Sequence, residues 1–186
     1  MPSKGLRPVS PAFEAEALAS LDSLYRTARR LTRDHADAED LVQETFLKAF
    51  RAADRFEPGT NLRAWLFTIL HNTARNRVRD RARDTVSVDS EAVERAAEQP
   101  AAGAAVETPE TLLLRATLAP DIQAAIDELP ASFRQAVWLR DVEEFSYAEI
   151  ADMLDIPVGT VMSRISRGRR MLFDALAAHT PVAVNE

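Results

Sequence analysis

The sequence predicts an all-α protein: two small helical domains joined by a flexible linker. Three observations lead there. Apolar residues recur at helical spacing from about Phe13 to Arg83 and again from about Leu112 to Ala178, the mark of helices with one buried face. Only 5 glycines and 6% aromatic residues occur in 186 positions, a composition that favours helix over strand. Between the periodic blocks, VSVDSEAVERAAEQPAAGAAVETP is built of Ala, Glu, Pro and Gly with no sustained apolar stripe, and such a segment cannot bury enough surface to offset its ordering entropy. The expected boundaries are a disordered N-terminus over 1–12, a helical domain over 13–84, an acidic linker over 85–118, a second helical domain over 119–178 and a tail over 179–186. A frayed helix around Glu91 to Glu98 is the alternative for part of the linker.

The formal net charge of −6 is unevenly spread. Seven carboxylates between Asp84 and Thr111 face a single Arg95, which accounts for the whole surplus. The flanking domains are therefore near neutral, and each has a local basic surface that could attract phosphate. The chain holds no Cys, which excludes disulfides and thiolate metal sites and fits a reducing cytoplasm. His35, His71 and His179 are too scattered for a metal site. No P-loop, nucleophile elbow or Gly-rich phosphate cradle occurs, so neither catalysis nor a cofactor nor a small-molecule substrate is expected. No signal peptide or membrane-spanning run is found, so a cytoplasmic protein without direct membrane insertion is expected.

The first block contains DAEDLVQETFLKAFRAADRF, residues 37–56. Ala38, Val42, Phe46, Ala49 and Ala53 form its inward stripe, while Asp40, Gln43, Glu44 and Leu47 point away. Leu47, ringed by acids and an amide, suits an anchor for a partner surface; a solvated face with one stray Leu is the alternative. Next comes FEPGTNLRAWLFTILHNTARNRVRDRAR, residues 56–83. Pro58–Gly59 makes a turn, Thr60 or Asn61 caps the following helix, and Leu62, Trp65, Leu66 and Ile69 supply its buried stripe. Trp65 reads as core support rather than a stacking platform. Thr68, His71 and Arg75 project from the other side. Arginines at 75, 77, 79, 81 and 83 spread charge around the helix, which suits a phosphate backbone. Polar groups near a turn, followed by basic charge, suit single-stranded DNA with a base held out of the stack.

The second block opens with LPASFRQAVWLRDVEEF, whose Leu129, Phe133, Val137, Trp138 and Val142 read as core. SYAEIADMLDIPVGTVMSRISRGRR follows, residues 146–170. Ser146 and Glu149 form a capping box, and Ile150, Ala151 and Leu154 face inward. Asp155 sits at the helix end, where Asp tolerates the left-handed conformation better than most residues, and Pro157 suits the next helix's first turn. On that second helix, Val161, Ile165, Gly168 and Leu172 share one side. Ser163, Ser166, Arg167 and Arg170 lie opposite with Met162 beside them, and Arg164 and Arg169 flank the seam. A polar, basic helix braced by a short preceding one is what a major groove admits.

These motifs carry a family resemblance. LPASFRQAVWLRDVEEFSYAEIADMLDIPVGTVMSRISRGRR closely resembles region 4 of bacterial sigma factors of the extracytoplasmic-function (ECF) group in the sigma-70 family. DAEDLVQETFLKAF resembles region 2.2, and residues 56–83 resemble regions 2.3 and 2.4. The likeness covers about Phe13–Arg83 and Asp121–Ala178, in family order. It implies a sigma factor that binds core RNA polymerase and directs promoter-specific initiation in a stress or envelope response. In the family, region 2.2 docks on the polymerase β′ clamp, so Asp37, Glu39, Asp40, Gln43, Glu44 and Leu47 are expected to bind core polymerase. Regions 2.3 and 2.4 open the −10 element and capture a flipped base. That role falls on a pocket including Phe56, Thr60, Asn61 and Arg63, and on Thr68, His71, Asn72, Arg75, Asn76 and Arg79. Region 4 binds the −35 element and the β flap, which points to Thr160, Met162, Ser163, Arg164, Ser166, Arg167 and Arg170. Asp155 stands where many relatives have Gly, and Met162 where many have a basic residue. An anti-sigma protein, often membrane-bound, is a further partner the family implies. The alternative is a polymerase-independent helix-turn-helix regulator.

Overall fold

The computed structural model of the protein describes residues 10–32, 34–85 and 120–179. Most of the expected N-terminal segment, linker and tail lies outside the described residues, including the Glu91–Glu98 stretch. Every regular element among the described residues is a helix, and the chain divides into two compact units.

The N-terminal unit holds α1 (Pro11–Ala19), α2 (Leu21–Thr32), α3 (His35–Arg51), a 3-10 turn (Ala53–Arg55) and α4 (Leu62–Thr85). The starts of α1, α3 and α4 have local causes. Ser10 Oγ accepts from the Phe13 N–H at 3.2 Å, with Pro11 where a missing N–H is harmless. Asp34 Oδ1 accepts from the Asp37 N–H at 2.9 Å and opens α3. Before α4 the chain turns through Gly59, whose φ of +92° is left-handed, and Asn61 Oδ1 then accepts from the Ala64 N–H at 3.1 Å. Asn61, not Thr60, is therefore the cap.

The core of this unit comprises Leu24 and Ala28 of α2, Ala38, Leu41, Val42 and Ala49 of α3, and Leu62, Leu66, Phe67 and Leu70 of α4. Phe46 and Ala53, expected inside, are half-buried, and Leu41 and Thr45 take their places. Thr45 tolerates burial because its hydroxyl donates to the Leu41 carbonyl at 2.7 Å. On α4, Trp65 and Ile69 are only half-buried, whereas Phe67, Leu70, His71 and Thr73 are buried. The reason is that α1, α2 and α3 all pack on α4, so its buried arc is wider than one stripe. Trp65 joins an aromatic cluster instead. Phe56 lies 5.5 Å from Trp65 and 5.7 Å from Phe13, ring centre to ring centre, and Phe13 reaches Phe50 at 5.9 Å. The cluster ties α1, the end of α3 and the loop before α4 into one hydrophobic end.

The C-terminal unit holds α5 (Pro120–Glu128), α6 (Ala131–Val137) running into a π-helical turn (Trp138–Val142), α7 (Tyr147–Leu154) and α8 (Val158–His179). Leu129, Val137 and Trp138 are buried as expected, joined by Ile126, Leu139 and Phe145, while Phe133 and Val142 are half-buried. The capping box of α7 is present: Ser146 Oγ accepts from the Glu149 N–H at 3.3 Å, and Glu149 Oε2 accepts from the Ser146 N–H at 2.8 Å. Asp155 is left-handed at φ 56°, and its N–H closes α7 onto the Ala151 carbonyl. Pro157 stands one position before the first turn of α8, its carbonyl accepting from Thr160 and Val161. Val161, Ile165 and Gly168 are buried. A Cβ at Gly168 would fall 2.6 Å from Val137 Cγ2, so glycine is what lets α8 cross α6 this closely.

Candidate partner and nucleic-acid surfaces

Three surfaces emerge, the first on α3. Glu39, Asp40, Gln43 and Leu47 are exposed, and Leu47 leaves 53% of its surface open. That exposure leaves apolar surface a partner could bury. Asp37 and Glu44, grouped with them in sequence, are half-buried and already engaged within the unit. Arg81 Nη2 donates to both Asp37 carboxylate oxygens, at 3.2 and 3.1 Å. Glu44 Oε2 accepts from Arg77 Nε at 2.9 Å, and Lys48 Nζ pairs with Glu44 Oε1 at 2.8 Å. The Lys48 hydrogen bond, helped by Arg77, holds the Glu44 carboxyl below its ordinary range against the opposing effect of burial.

The second surface runs from the Phe56 loop along α4. Asn72, Arg75, Asn76 and Arg79 are exposed on neighbouring turns. Arg75 Nη2 donates to Asn72 Oδ1 at 2.6 Å, and Arg79 Nη2 to Asn76 Oδ1 at 3.0 Å, so each amide orients a guanidinium one turn away. Thr60 is exposed, its hydroxyl donating to the Glu57 carbonyl. Arg63 is half-buried with its guanidinium carbon 5.1 Å from the Phe67 ring centre. Thr68 is half-buried and bonds back to the Ala64 carbonyl.

Two expected members of this surface need correction. His71 does not project outward; it is 5% exposed, and its Nε2 has no hydrogen-bond partner. Burial, assisted by the Arg75 charge, pushes its pKa down to about 4, so it is a neutral core residue at neutral pH. Phe56 is half-buried in the aromatic cluster, where its ring supports the loop. The arginines also do not spread evenly. Two residues advance a helix by roughly 200°, so alternate positions fall on two opposed faces. Arg75, Arg79 and Arg83 share the asparagine face, while Arg77 and Arg81 turn to α3.

The third surface is the outer face of α8. Met162, Ser163, Ser166, Arg167 and Arg170 are exposed, and Thr160 and Arg164 are half-buried. Ser163 donates to the Thr160 carbonyl at 2.9 Å. Arg169, at the seam, is gripped by Asp141 through Nε–Oδ2 at 3.0 Å and Nη2–Oδ1 at 2.5 Å. The Asp141 hydrogen bonds raise its pKa further, leaving a permanent cation held in place. Arg140 stacks on Tyr147, with 4.9 Å between guanidinium carbon and ring centre, and donates to the Phe145 carbonyl. Sequence reasoning missed the roles of Asp141, Arg77 and Arg81. The alternation of arginines was a usable signal for the last two, since it implies two faces.

Among the described residues, no group of His, Asp and Glu could hold a metal ion. No helix among them is long and apolar enough to cross a membrane.

Two helical units, one ending in a helix-turn-helix with a basic outer face, define a helix-turn-helix protein. Comparison with known proteins narrows this. Residues 18–84 match the Sigma-70 region 2 family model, and residues 120–172 match Sigma-70 region 4. The chain belongs to the sigma-70 family, in its ECF group. It is 41% identical over 171 residues to the ECF RNA polymerase sigma factor SigE of Mycolicibacterium smegmatis, covering 91% of this chain but 63% of that protein. The chain thus spans less than two thirds of that relative's length. It is 36% identical to the ECF sigma factor EcfG of Rhodopseudomonas palustris, covering 89% of this chain and 85% of that one. Among solved structures it resembles the sigma factor RpoE of Bartonella quintana, crystallised with the anti-sigma factor NepR. That match has a TM-score of 0.66 and 35% identity, covering 92% of this chain and 100% of the other. Sigma factors are non-enzymatic initiation factors, in keeping with the expectation of no catalysis.

Proposed function

We propose that this chain is a dissociable sigma factor of the cytoplasm that binds core RNA polymerase and directs initiation at promoters. Region 2 would read the −10 element and region 4 the −35 element, in a stress or envelope response. The observation that carries this reading is the coexistence, in one chain, of an exposed Leu47 on an acidic helix with two separate basic surfaces. Leu47, with Asp40 and Gln43, forms the polymerase contact on the β′ clamp: apolar contact supplies affinity and charge supplies orientation. The Asn72–Arg75 and Asn76–Arg79 pairs grip the opened −10 strand, with the turn at Thr60 and Asn61 and the start of α4 at Arg63 receiving a displaced base. The outer face of α8 enters the −35 major groove, where Arg167 and Arg170 contact guanine or phosphate. Each DNA contact is weak alone; mounting both on one polymerase raises their effective concentration and makes their spacing part of the recognition. An anti-sigma protein fits as a regulator, by analogy with the partner of the Bartonella protein.

The test is transcription in vitro with purified core polymerase and mapped start sites. Promoter-dependent transcripts are expected with the chain present and none without it. Leu47→Asp should lower polymerase affinity at least tenfold, the scale of a central apolar anchor lost from an interface. Unaided footprinting of an operator by the free chain, with no effect on polymerase, would instead identify a stand-alone regulator.

A further inference from the structure

Two arginines of α4 have no DNA role in the reading above, on which this inference rests. Arg77 and Arg81 each lie roughly 160° around the helix from Arg79, and both reach back to α3. Arg77 donates to Glu44 Oε2 through Nε at 2.9 Å and contacts it through Nη2 at 2.7 Å; its Nη1 meets the Asp37 carbonyl at 3.4 Å. A single guanidinium therefore spans two turns of α3. Arg81 takes the Asp37 carboxylate at 3.2 and 3.1 Å. Lys48 closes the row, pairing with Glu44 at 2.8 Å and donating to Thr73 of α4 at 3.1 Å.

The geometry is that of a clamp. A planar guanidinium fixed at several donors resists rotation of its partner in a way a lone ammonium does not. The clamped acids flank the exposed ridge of Asp40, Gln43 and Leu47, so the setting of α3 about its own axis determines where that ridge points. On the buried stripe of α3, Leu41 is the one large residue beside Ala38, Val42, Thr45 and Ala49, so few large knobs fix that setting. We propose that Arg77 and Arg81 are positioning residues: without touching DNA, they lock α3 against α4 so that Leu47 meets the polymerase in one orientation.

The experiment uses the full chain, core polymerase and a single-stranded −10-type oligonucleotide. Wild type is measured first: if it fails to bind polymerase, the functional reading itself is lost. Given binding, Arg77→Ala with Arg81→Ala should weaken polymerase affinity roughly fivefold, and the saturated complex should bind the oligonucleotide unchanged. Arg75→Ala with Arg79→Ala should give the opposite pattern. Arg77→Lys keeps the charge but loses the planar fork, so it should recover only part of the loss, staying about twofold below wild type, and it carries the test if the double variant does not fold. Oligonucleotide affinity falling in step with Arg75→Ala, or polymerase affinity unmoved in both Arg77 variants, overturns the proposal.

Discussion

Helices α4 and α8 are both arginine-rich, yet they use their charge differently. On α8 the basic residues at 167 and 170 face outward, and an acid from a neighbouring turn, Asp141, takes only Arg169. On α4 the arginines divide, and the face carrying Arg77 and Arg81 is spent on Glu44 and Asp37. Counting arginines therefore overstates the nucleic-acid surface of α4. What decides a cation's role is which carboxylate the fold brings beside it, and that partner is 33 residues away for Arg77 and 44 for Arg81.

The comparison can be broken most strongly with acid, because α4 buries a histidine in the core of the N-terminal unit. The folded pKa of His71 is depressed from 6.5 to about 4, so the unfolded chain takes up the proton first. Its contribution is complete above the unfolded pKa and is lost as pH falls from 6.5 towards 4. The N-terminal unit should lose about 3 kcal/mol over that window, and His71→Leu should flatten the loss. Denaturant melts at several pH values, read with probes in each unit, check this; equal losses in both units would remove the contrast.

Gly168→Leu should do the reverse, costing the C-terminal unit about 2–3 kcal/mol by forcing α8 off α6, with the N-terminal unit unchanged. Arg167→Ala with Arg170→Ala should cost about 2 kcal/mol in promoter affinity, roughly thirtyfold, and reduce its salt dependence. Promoter binding by the polymerase complex across a salt series measures both. The smallest of these effects is expected at Ser146→Ala, about 1 kcal/mol from loss of the α7 cap, seen as a lower denaturation midpoint of the C-terminal unit alone.

The features legible in the sequence are those with local causes. The Ser146–Glu149 box, the left-handed Asp155 and the inward row of Val161, Ile165 and Gly168 each depend on residues within a few turns. The exposed ridge of Asp40, Gln43 and Leu47 was legible for the same reason. The α4 core was not: three helices press on it, so a single-stripe reading leaves out Phe67, Leu70 and His71. His71 in particular looks like a surface group by residue type, and only tertiary packing turns it inward. The clamp was missed because its halves lie on different helices.

At the turn into α4, Gly59 has nothing within 4 Å of where a Cβ would sit, so room is plentiful. What its backbone demands is mirror-image geometry. A synthetic D-alanine there should leave the approach to the asparagine–arginine face intact and stiffen the unfolded chain, whereas ordinary L-alanine should cost about 1 kcal/mol despite touching nothing. Chirality, rather than crowding, guards this corner.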